Sequence, residues 1–307
     1  MPRHRLALTT ATAVAALALT ACSGDAEPGI APSSGQGVPD SVAVEAVKAA
    51  GRQSTGGGSS KFVLTSTTAI GGRDVTFAGQ GAFDHAADKG QLSFAVPGAD
   101  GSSDGGGRIE ERIIGPDLYL TLPLQPGTFY KLKIADVVGT SLGASTDPTA
   151  ALSALQGVVE VRKVGQGQVR GATATHYEGT YDVQAAIAAA TGANQALLRA
   201  TLGAASPDKI PFDAYLDGEA RLVRFEQELA LPATSRTGGQ ALTSRTVLEL
   251  FDFGTVVDVV APPPASVRDG APLLAALRRP SPQGGASPSA APSKAAPSPA
   301  LSTAPAR

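Results

Sequence analysis

From Lys61 onward, apolar residues recur at every second position, in short runs broken by glycine, proline or aspartate. Phe62 and Leu64 share one side of the first run. In the next, Val75, Phe77, Gly79, Gly81 and Phe83 alternate with Thr76, Ala78, Gln80, Ala82 and Asp84. Leu92, Phe94 and Val96 then alternate with Gln91, Ser93 and Ala95. Similar runs follow at Arg108–Ile114, at Leu118, Leu120 and Leu122, and at Tyr130, Leu132 and Ile134. They return at 158–164, 173–183, 212–216, 221–229 and 241–253, with 256–260 after. A strand turns successive side chains to opposite faces, so a period of two marks a sheet with one apolar face. Short runs with tight separators favour antiparallel neighbours. The pattern predicts an α+β fold built on a single, strongly curved antiparallel sheet of roughly eleven strands, because so long a sheet curls.

Other stretches carry helical signals. Asp40 or Ser41 stands as an N-cap before Val42, Val44, Ala46, Val47 and Ala50, and Gly51 is expected to end that helix. Asp147-Pro148 offers an N-cap followed by proline, leading Ala150, Ala151, Leu152, Ala154 and Leu155. An alanine-rich helix is expected from Val183 to Leu202, broken at Gly192. Helices inserted mid-chain can lie across the concave face of the sheet. Asp217-Gly218 sits between alternating runs and predicts a hairpin with a tight primed turn. Residues 41–270 are expected to form one domain. From Ala271 the chain turns to Pro, Ala and Ser, with no acidic residue after Asp269. Residues 271–307 are therefore expected to form a disordered tail, with Leu273, Leu274 and Leu277 forming at most one short helix.

The N-terminus has a different character. Arg3 and Arg5 precede an uncharged apolar run from Leu6 to Leu19. A membrane span needs roughly 20 apolar residues, so the run reads instead as a secretory signal peptide over residues 1–21. Leu19-Thr20-Ala21-Cys22 resembles the bacterial lipobox, in which the thiol is alkylated with diacylglycerol and becomes the new N-terminus. Cys22 is the only cysteine in the chain. The resemblance implies lipidation of Cys22, a Gly/Pro/Ser-rich tether over 22–40, and attachment to the outer face of the cytoplasmic membrane.

Composition narrows the function. A hydrophobic share of 42% over 307 residues supports a core without any intrachain disulfide. A net charge of −2 with no basic cluster argues against nucleic acid as a partner. Trp is absent, which disfavours carbohydrate-stacking platforms. Catalytic readings fare poorly too. His85 follows Asp84 at a strand end and reads as part of a solvated turn, while His176 reads as a sheet-surface residue. No cysteine is left to act as a nucleophile once Cys22 is acylated. Gly165-Gln166-Gly167-Gln168-Val169-Arg170-Gly171 lacks the lysine of a phosphate loop and reads as a turn. Asp100 to Asp104 lacks the alternating carboxylates of a calcium loop. Glu110 and Glu111 are adjacent, so on a strand they face opposite ways and cannot pair. No metal, cofactor or enzymatic activity is expected.

Several stretches carry a family likeness. Gly79-Gln80-Gly81-Ala82-Phe83-Asp84, Asp117-Leu118-Tyr119-Leu120, Phe129-Tyr130-Lys131-Leu132 and Thr175-His176-Tyr177 are among them. Val169-Arg170-Gly171, Tyr181-Asp182-Val183, Leu216-Asp217-Gly218, Phe251-Asp252-Phe253-Gly254 and Val259-Val260-Ala261-Pro262-Pro263 complete the set. In this order they resemble the half-barrel lipid carriers of the LolA type and the mycobacterial LppX/LprG lipoproteins. The Pro/Ala/Ser-rich tail departs from that pattern. The resemblance implies a cavity between half-barrel and helices that takes acyl chains. Candidates to line it are Phe62, Leu64, Val75, Phe77, Phe83, Leu92, Phe94, Leu118 and Leu120. The function expected is lipid or acyl-chain binding for transport or envelope maintenance. The alternative is an envelope scaffold or sensor whose core is filled by its own side chains. Gly79 and Gly81 bear on the choice, since small residues on an apolar face leave room either for a ligand or for a closely packed neighbour.

Overall fold

The computed structural model describes residues 40–70, 73–98, 105–137, 149–203, 207–231, 233, 239 and 241–278. The expected signal peptide, Cys22, nearly all of the tether, the Asp147-Pro148 cap, the Asp100 to Asp104 loop and the tail beyond Arg278 lie outside the described residues.

Twelve strands form one sheet. In chain order β1 is Ser59–Ile70, β2 Arg73–Asp84, β3 Lys89–Ala95, β4 Arg108–Ile114, β5 Asp117–Leu122 and β6 Gln125–Lys133. Then come β7 Val158–Val169, β8 Ala172–Asp182, β9 Lys209–Leu216, β10 Leu222–Leu231, β11 Leu242–Phe251 and β12 Val267–Asp269. The order across the sheet is β12-β6-β5-β4-β3-β2-β1-β11-β10-β9-β8-β7. Two antiparallel meanders, β1 to β6 and β7 to β11, are thus sewn together where β1 meets β11. The sheet is open and curved, an α+β half-barrel. It departs from the expected strand set in one pairing. The short β12 joins β6 in parallel, with Val267 opposite Phe129. Residues 256–260 form no ladder, and Val256 is 90% exposed.

The helices are α1 Ser41–Thr55, α2 Ile134–Val137, α3 Thr149–Ala154, α4 Val183–Ala189, α5 Gly192–Leu202 and α6 Ala271–Arg278. Asp40 caps α1, its carboxylate accepting from the Val42 and Ala43 amides. Ala43, Val47, Ala50 and Gly51 form its buried stripe, which lies toward β7, β9 and β10 and toward α3. Gly51 does not end the helix. It marks a close crossing, because a Cβ there would come within 3.0 Å of Leu155 Cβ. The helix stops one turn later, at Gly56. The alanine-rich stretch does divide, with α4 ending before Ala190 and α5 starting at Gly192, whose φ of 56° is open to glycine.

Two turns differ from expectation. At the β9–β10 hairpin Asp217 and Arg221 bracket a three-residue loop, and the left-handed residue is Ala220 (φ 60°) rather than Gly218. Asp217 is the organiser, its carboxylate accepting from the Glu219 and Arg221 amides. Residues 165–169 are not a turn but the end of β7. The reversal is confined to Arg170 and Gly171, both at positive φ, as a primed two-residue turn requires.

The folded part also extends past residue 270. In α6 Leu274 is 6% exposed and belongs to the main core cluster, with Leu273 packed against it. The Gly270 amide donates to Lys131 O, and the Leu274 amide to Gly270 O, which ties the start of α6 to β6. Eight apolar-rich residues too short to hold a helix alone are held by this tertiary contact. Leu274→Ala is expected to cost about 2–3 kcal/mol in denaturant unfolding. Truncation after Asp269 should cost at least as much. Truncation after Arg278 should leave the midpoint unchanged.

Candidate functional site

The strand registers assemble one continuous face. Phe62 lies opposite Gly81 and Leu64 opposite Gly79, with Val75 opposite Thr68, Phe77 opposite Ser66 and Phe83 opposite Ser60. On the other side of β2, Gly79 meets Phe94 and Gly81 meets Leu92. Leu92 meets Glu111, which meets Leu120, and Ile113 meets Leu118. All nine residues singled out from the sequence therefore project from the same side of the sheet. Five of them, Phe62, Leu92, Phe94, Leu118 and Leu120, are at most 2% exposed.

The space above the glycines on this face is occupied. A Cβ on Gly79 would come within 2.2 Å of the Phe94 ring, and one on Gly81 within 3.0 Å of the Phe62 ring. The Phe83 ring covers Gly90 in the same way, and Phe212 covers Gly179. Phe77 stacks on Phe94 with ring centroids 5.0 Å apart. Each glycine seats an aromatic ring from the neighbouring strand.

Along β1 and β2 the face is graded. Next to the buried centre, Leu64 and Phe77 are half-buried, and Val75 is 37% exposed. Beyond them the same face turns to hydroxyls. Ser66 Oγ lies 3.3 Å from Ser244 Oγ and 3.2 Å from Thr246 Oγ1, and Thr68 Oγ1 donates to Ser244 Oγ at 3.1 Å. Further across, the buried Tyr181 hydroxyl donates to Gln227 Oε1 at 2.8 Å. The hydroxyls satisfy one another, so this half-buried strip carries no unpaired polar cost.

One group on this face stands apart. Glu111, in the middle of β4, is 1% exposed and is flanked across the ladder by Leu92 and Leu120. Its Oε2 is buried and has no hydrogen-bond partner among the described residues. Burial alone pushes its pKa up to about 8, so the side chain is a neutral acid at neutral pH. The alternation Ile109-x-Glu111-x-Ile113 already assigns Glu111 to the apolar side. The adjacency of Glu110, which does point outward, obscures that assignment.

The outer face handles its acids differently. Glu226 is 7% exposed and receives hydrogen bonds from Arg224 Nε and Arg245, each at 2.5 Å. Burial opposes its ionisation, but Arg245 and Arg224 outweigh that and hold its carboxyl below the ordinary range. His176 lies on this outer face, its Nε2 2.6 Å from Asp213 Oδ1 and its ring stacked 4.4 Å from Tyr215. Ligand atoms of His176, Glu178 and Asp213 lie within 4.8 Å of one another, close enough to hold a cation. Glu178 is also paired with Arg162, so the group reads as a cross-strand charge ladder. His85 sits in the β2–β3 turn with its ring 4.6 Å from that of Phe83. It lines a shallow cleft of about 160 Å³ with Ser54, Ser59, Arg221 and Phe253.

No protein-family model matches the chain, and no curated protein matches its sequence. Solved structures do match. The chain is similar to the lipoprotein LppX of Mycobacterium tuberculosis, at 13% identity and TM-score 0.47, covering 72% of this chain and 100% of that one. It is also similar to LprF from Mycobacterium bovis, at 13% identity and TM-score 0.44, covering 74% of this chain and 99% of that one. A LolA-superfamily protein from Nitrosomonas europaea matches at 10% identity and TM-score 0.29, over 73% of this chain and 96% of that one.

The buried acid has a measurable consequence. The folded-state pKa of Glu111 is raised to about 8 from an ordinary 4.5, so between those values the folded state holds a proton that the unfolded state has lost. Stability from this group is fully present below the ordinary value and is lost as pH rises toward 8. Glu111→Gln keeps the shape and removes the titration. The variant is expected to be flatter in unfolding free energy across that window, and more stable than the parent at its alkaline end by a few kcal/mol in order of magnitude. Parallel pH profiles for the two proteins would rule the assignment out.

Proposed function

We propose that the protein is a membrane-anchored, extracytoplasmic lipoprotein that binds a lipid or acyl chain on the concave face of its sheet. The observation that carries this reading is the gradation of that face. It runs from buried apolar side chains through the partly exposed Leu64, Phe77 and Val75 to the hydroxyls of Ser66, Thr68, Ser244 and Thr246. An amphipathic lipid carries both hydrocarbon and polar oxygens, and this face offers surface to each. Apolar side chains left accessible on an inner face offer hydrophobic contact worth roughly 25 cal/mol per Å² covered. The anchor is the lipid on Cys22. Diacylglycerol supplies two chains, which stable attachment requires. The action is one of binding and release without covalent chemistry, in support of lipid transport or envelope maintenance.

The aromatic rings over Gly79, Gly81 and Gly90 favour a second reading, in which the interior is filled by the protein itself and the domain is a scaffold or sensor. Val75 and Thr76 separate the two, because they are neighbours on opposite faces. Val75→Trp adds bulk where a chain would enter, at a position still 37% exposed. It is expected to weaken binding of a fluorescent fatty acid several-fold while leaving the thermal midpoint nearly unchanged. Thr76→Trp loses only the hydrogen bond to Thr67 and should leave binding intact. A parent protein that binds no fatty acid, and yields no lipid in mass spectra of an organic extract, would decide for the filled interior.

The anchor is tested separately. Cys22→Ser is expected to block lipidation and release the protein from membranes. Normal processing with retention through a carbonate wash would place the attachment elsewhere.

A further inference from the structure

We infer that Glu111 is the polar anchor of the concave face, donating a carboxyl hydrogen bond to a carbonyl or carboxylate oxygen of a bound acyl-chain ligand. This rests on the lipid-binding reading and makes it more specific.

The geometry singles this residue out. On the inward side of β3, β4 and β5, the described residues are Gly90, Leu92, Phe94, Ile109, Ile113, Leu118, Leu120 and Leu122, together with Glu111. Glu111 is the single polar side chain among them. Arg108, Glu110 and Arg112 of the same strand alternate to the other face, where Arg112 donates to Val260 O and Arg108 to Ser93 Oγ. No charged group contributes to the Glu111 shift, and none of the inward residues of β3 and β5 is titratable. The carboxyl is therefore buried among hydrocarbon, with Oε2 unpaired among the described residues.

A buried polar atom without a partner is costly, and native structures retain few of them. Leucine at position 111 would fit the alternation of Ile109 and Ile113 without that cost. A ligand oxygen removes the penalty, and surrounding hydrocarbon strengthens the bond it makes. The chemistry of the donor also selects the ligand. A neutral carboxyl has one O–H to give and no charge with which to repel a fatty carboxylate. It matches an acceptor oxygen at the head of a free fatty acid or at an ester linkage. It offers nothing to a plain hydrocarbon.

The test uses the purified full-length protein with Glu111→Gln and Glu111→Leu. Three fluorescent probes are titrated: cis-parinaric acid, its methyl ester, and diphenylhexatriene, which has no oxygen. Glu111→Leu is expected to weaken the acid, the ester or both by about tenfold, the loss of one buried hydrogen bond, while diphenylhexatriene binds as before. Loss confined to the acid assigns a free carboxylate ligand, and loss of both assigns a carbonyl shared with ester lipids. Parental binding should also fall as pH rises through about 8, where Glu111 ionises. Glu111→Gln retains a donor and should bind at every pH as the parent does below that value.

The failures are distinguishable. If the parent binds all three probes and Glu111→Leu changes none of them, the anchor is wrong and lipid binding stands. If all three weaken together in Glu111→Leu, Glu111 shapes the site without bonding the ligand, and the anchor is again wrong. If the parent binds no probe, the lipid-binding reading fails and takes the anchor with it.

Discussion

The antiparallel seam between β1 and β11 is the interaction on which the rest of the molecule depends. It joins nine residue pairs, from Lys61 opposite Phe251 to Ala69 opposite Thr243. Without it the chain would hold two separate meanders, each with a bare edge. Partners across it are far apart in sequence, 178 residues in the case of Ser66 and Ser244. Loop closure must therefore be met before any contact on the seam contributes. Its own contacts are graded along the strand. Phe62 faces Leu250 and Leu64 faces Leu248 at the buried end, and hydroxyl pairs take over beyond them. At the other margin Lys61 pairs with Asp252, and the Gly254 amide donates to Ser59 O. The polarity gradient of the concave face is thus written into the strand pair that closes the fold.

Glycine and phenylalanine act as partners on that face. A strand glycine weakens local structure and offers nothing to pack. Across the ladder, however, the Phe94 ring fits over Gly79, and the Phe62 ring over Gly81, at distances a side chain would forbid. The exchange concentrates bulk in a few rings and leaves short stretches of bare backbone. A strand relieved of side chains on one side can also bend toward that side, which suits a sheet of twelve strands that must curve. The same glycines that could have opened a cavity here seat the wall of the core.

Much of this was legible in the sequence because the period of two is insensitive to context. The alternation placed Phe62, Leu64, Val75, Phe77, Phe83, Leu92, Phe94, Leu118 and Leu120 together, and the registers bring them to one face. What was illegible depends on partners far along the chain. Gly51 looks like a helix stop until Leu155 is seen packed against it. The leucines of α6 resemble the start of a disordered tail, and only the docking of Leu274 makes them part of the domain. The β9–β10 turn shows the limit of dipeptide rules. Asp217-Gly218 is a strong primed-turn signal, yet the Asp217 carboxylate gathers the Glu219 and Arg221 amides and shifts the left-handed position to Ala220. Which glycines are filled and which acid is unpaired cannot be read from alternation, because both depend on what the next strand presents.

The two buried glutamates give the clearest measure of how differently the faces are used. Glu226 and Glu111 are 7% and 1% exposed, on β10 and β4 of one sheet with four strands between them. The first has two arginines arranged around it and stays ionised. This sheet can therefore compensate a buried carboxylate with its own side chains, by placing cations on the strand itself and on its neighbour. For Glu111 the corresponding neighbours are Leu92 and Leu120, and the nearby arginines of β4 are turned to the other face by the pleat. A single-residue alternation rule thus isolates the acid from every cation within reach along its strand. Desolvation is left to act alone, and it converts a charged acceptor into a neutral donor. A carboxyl in that state has an O–H to donate and an Oε2 without a partner among the described residues, which is the physical basis of the anchoring role proposed for it.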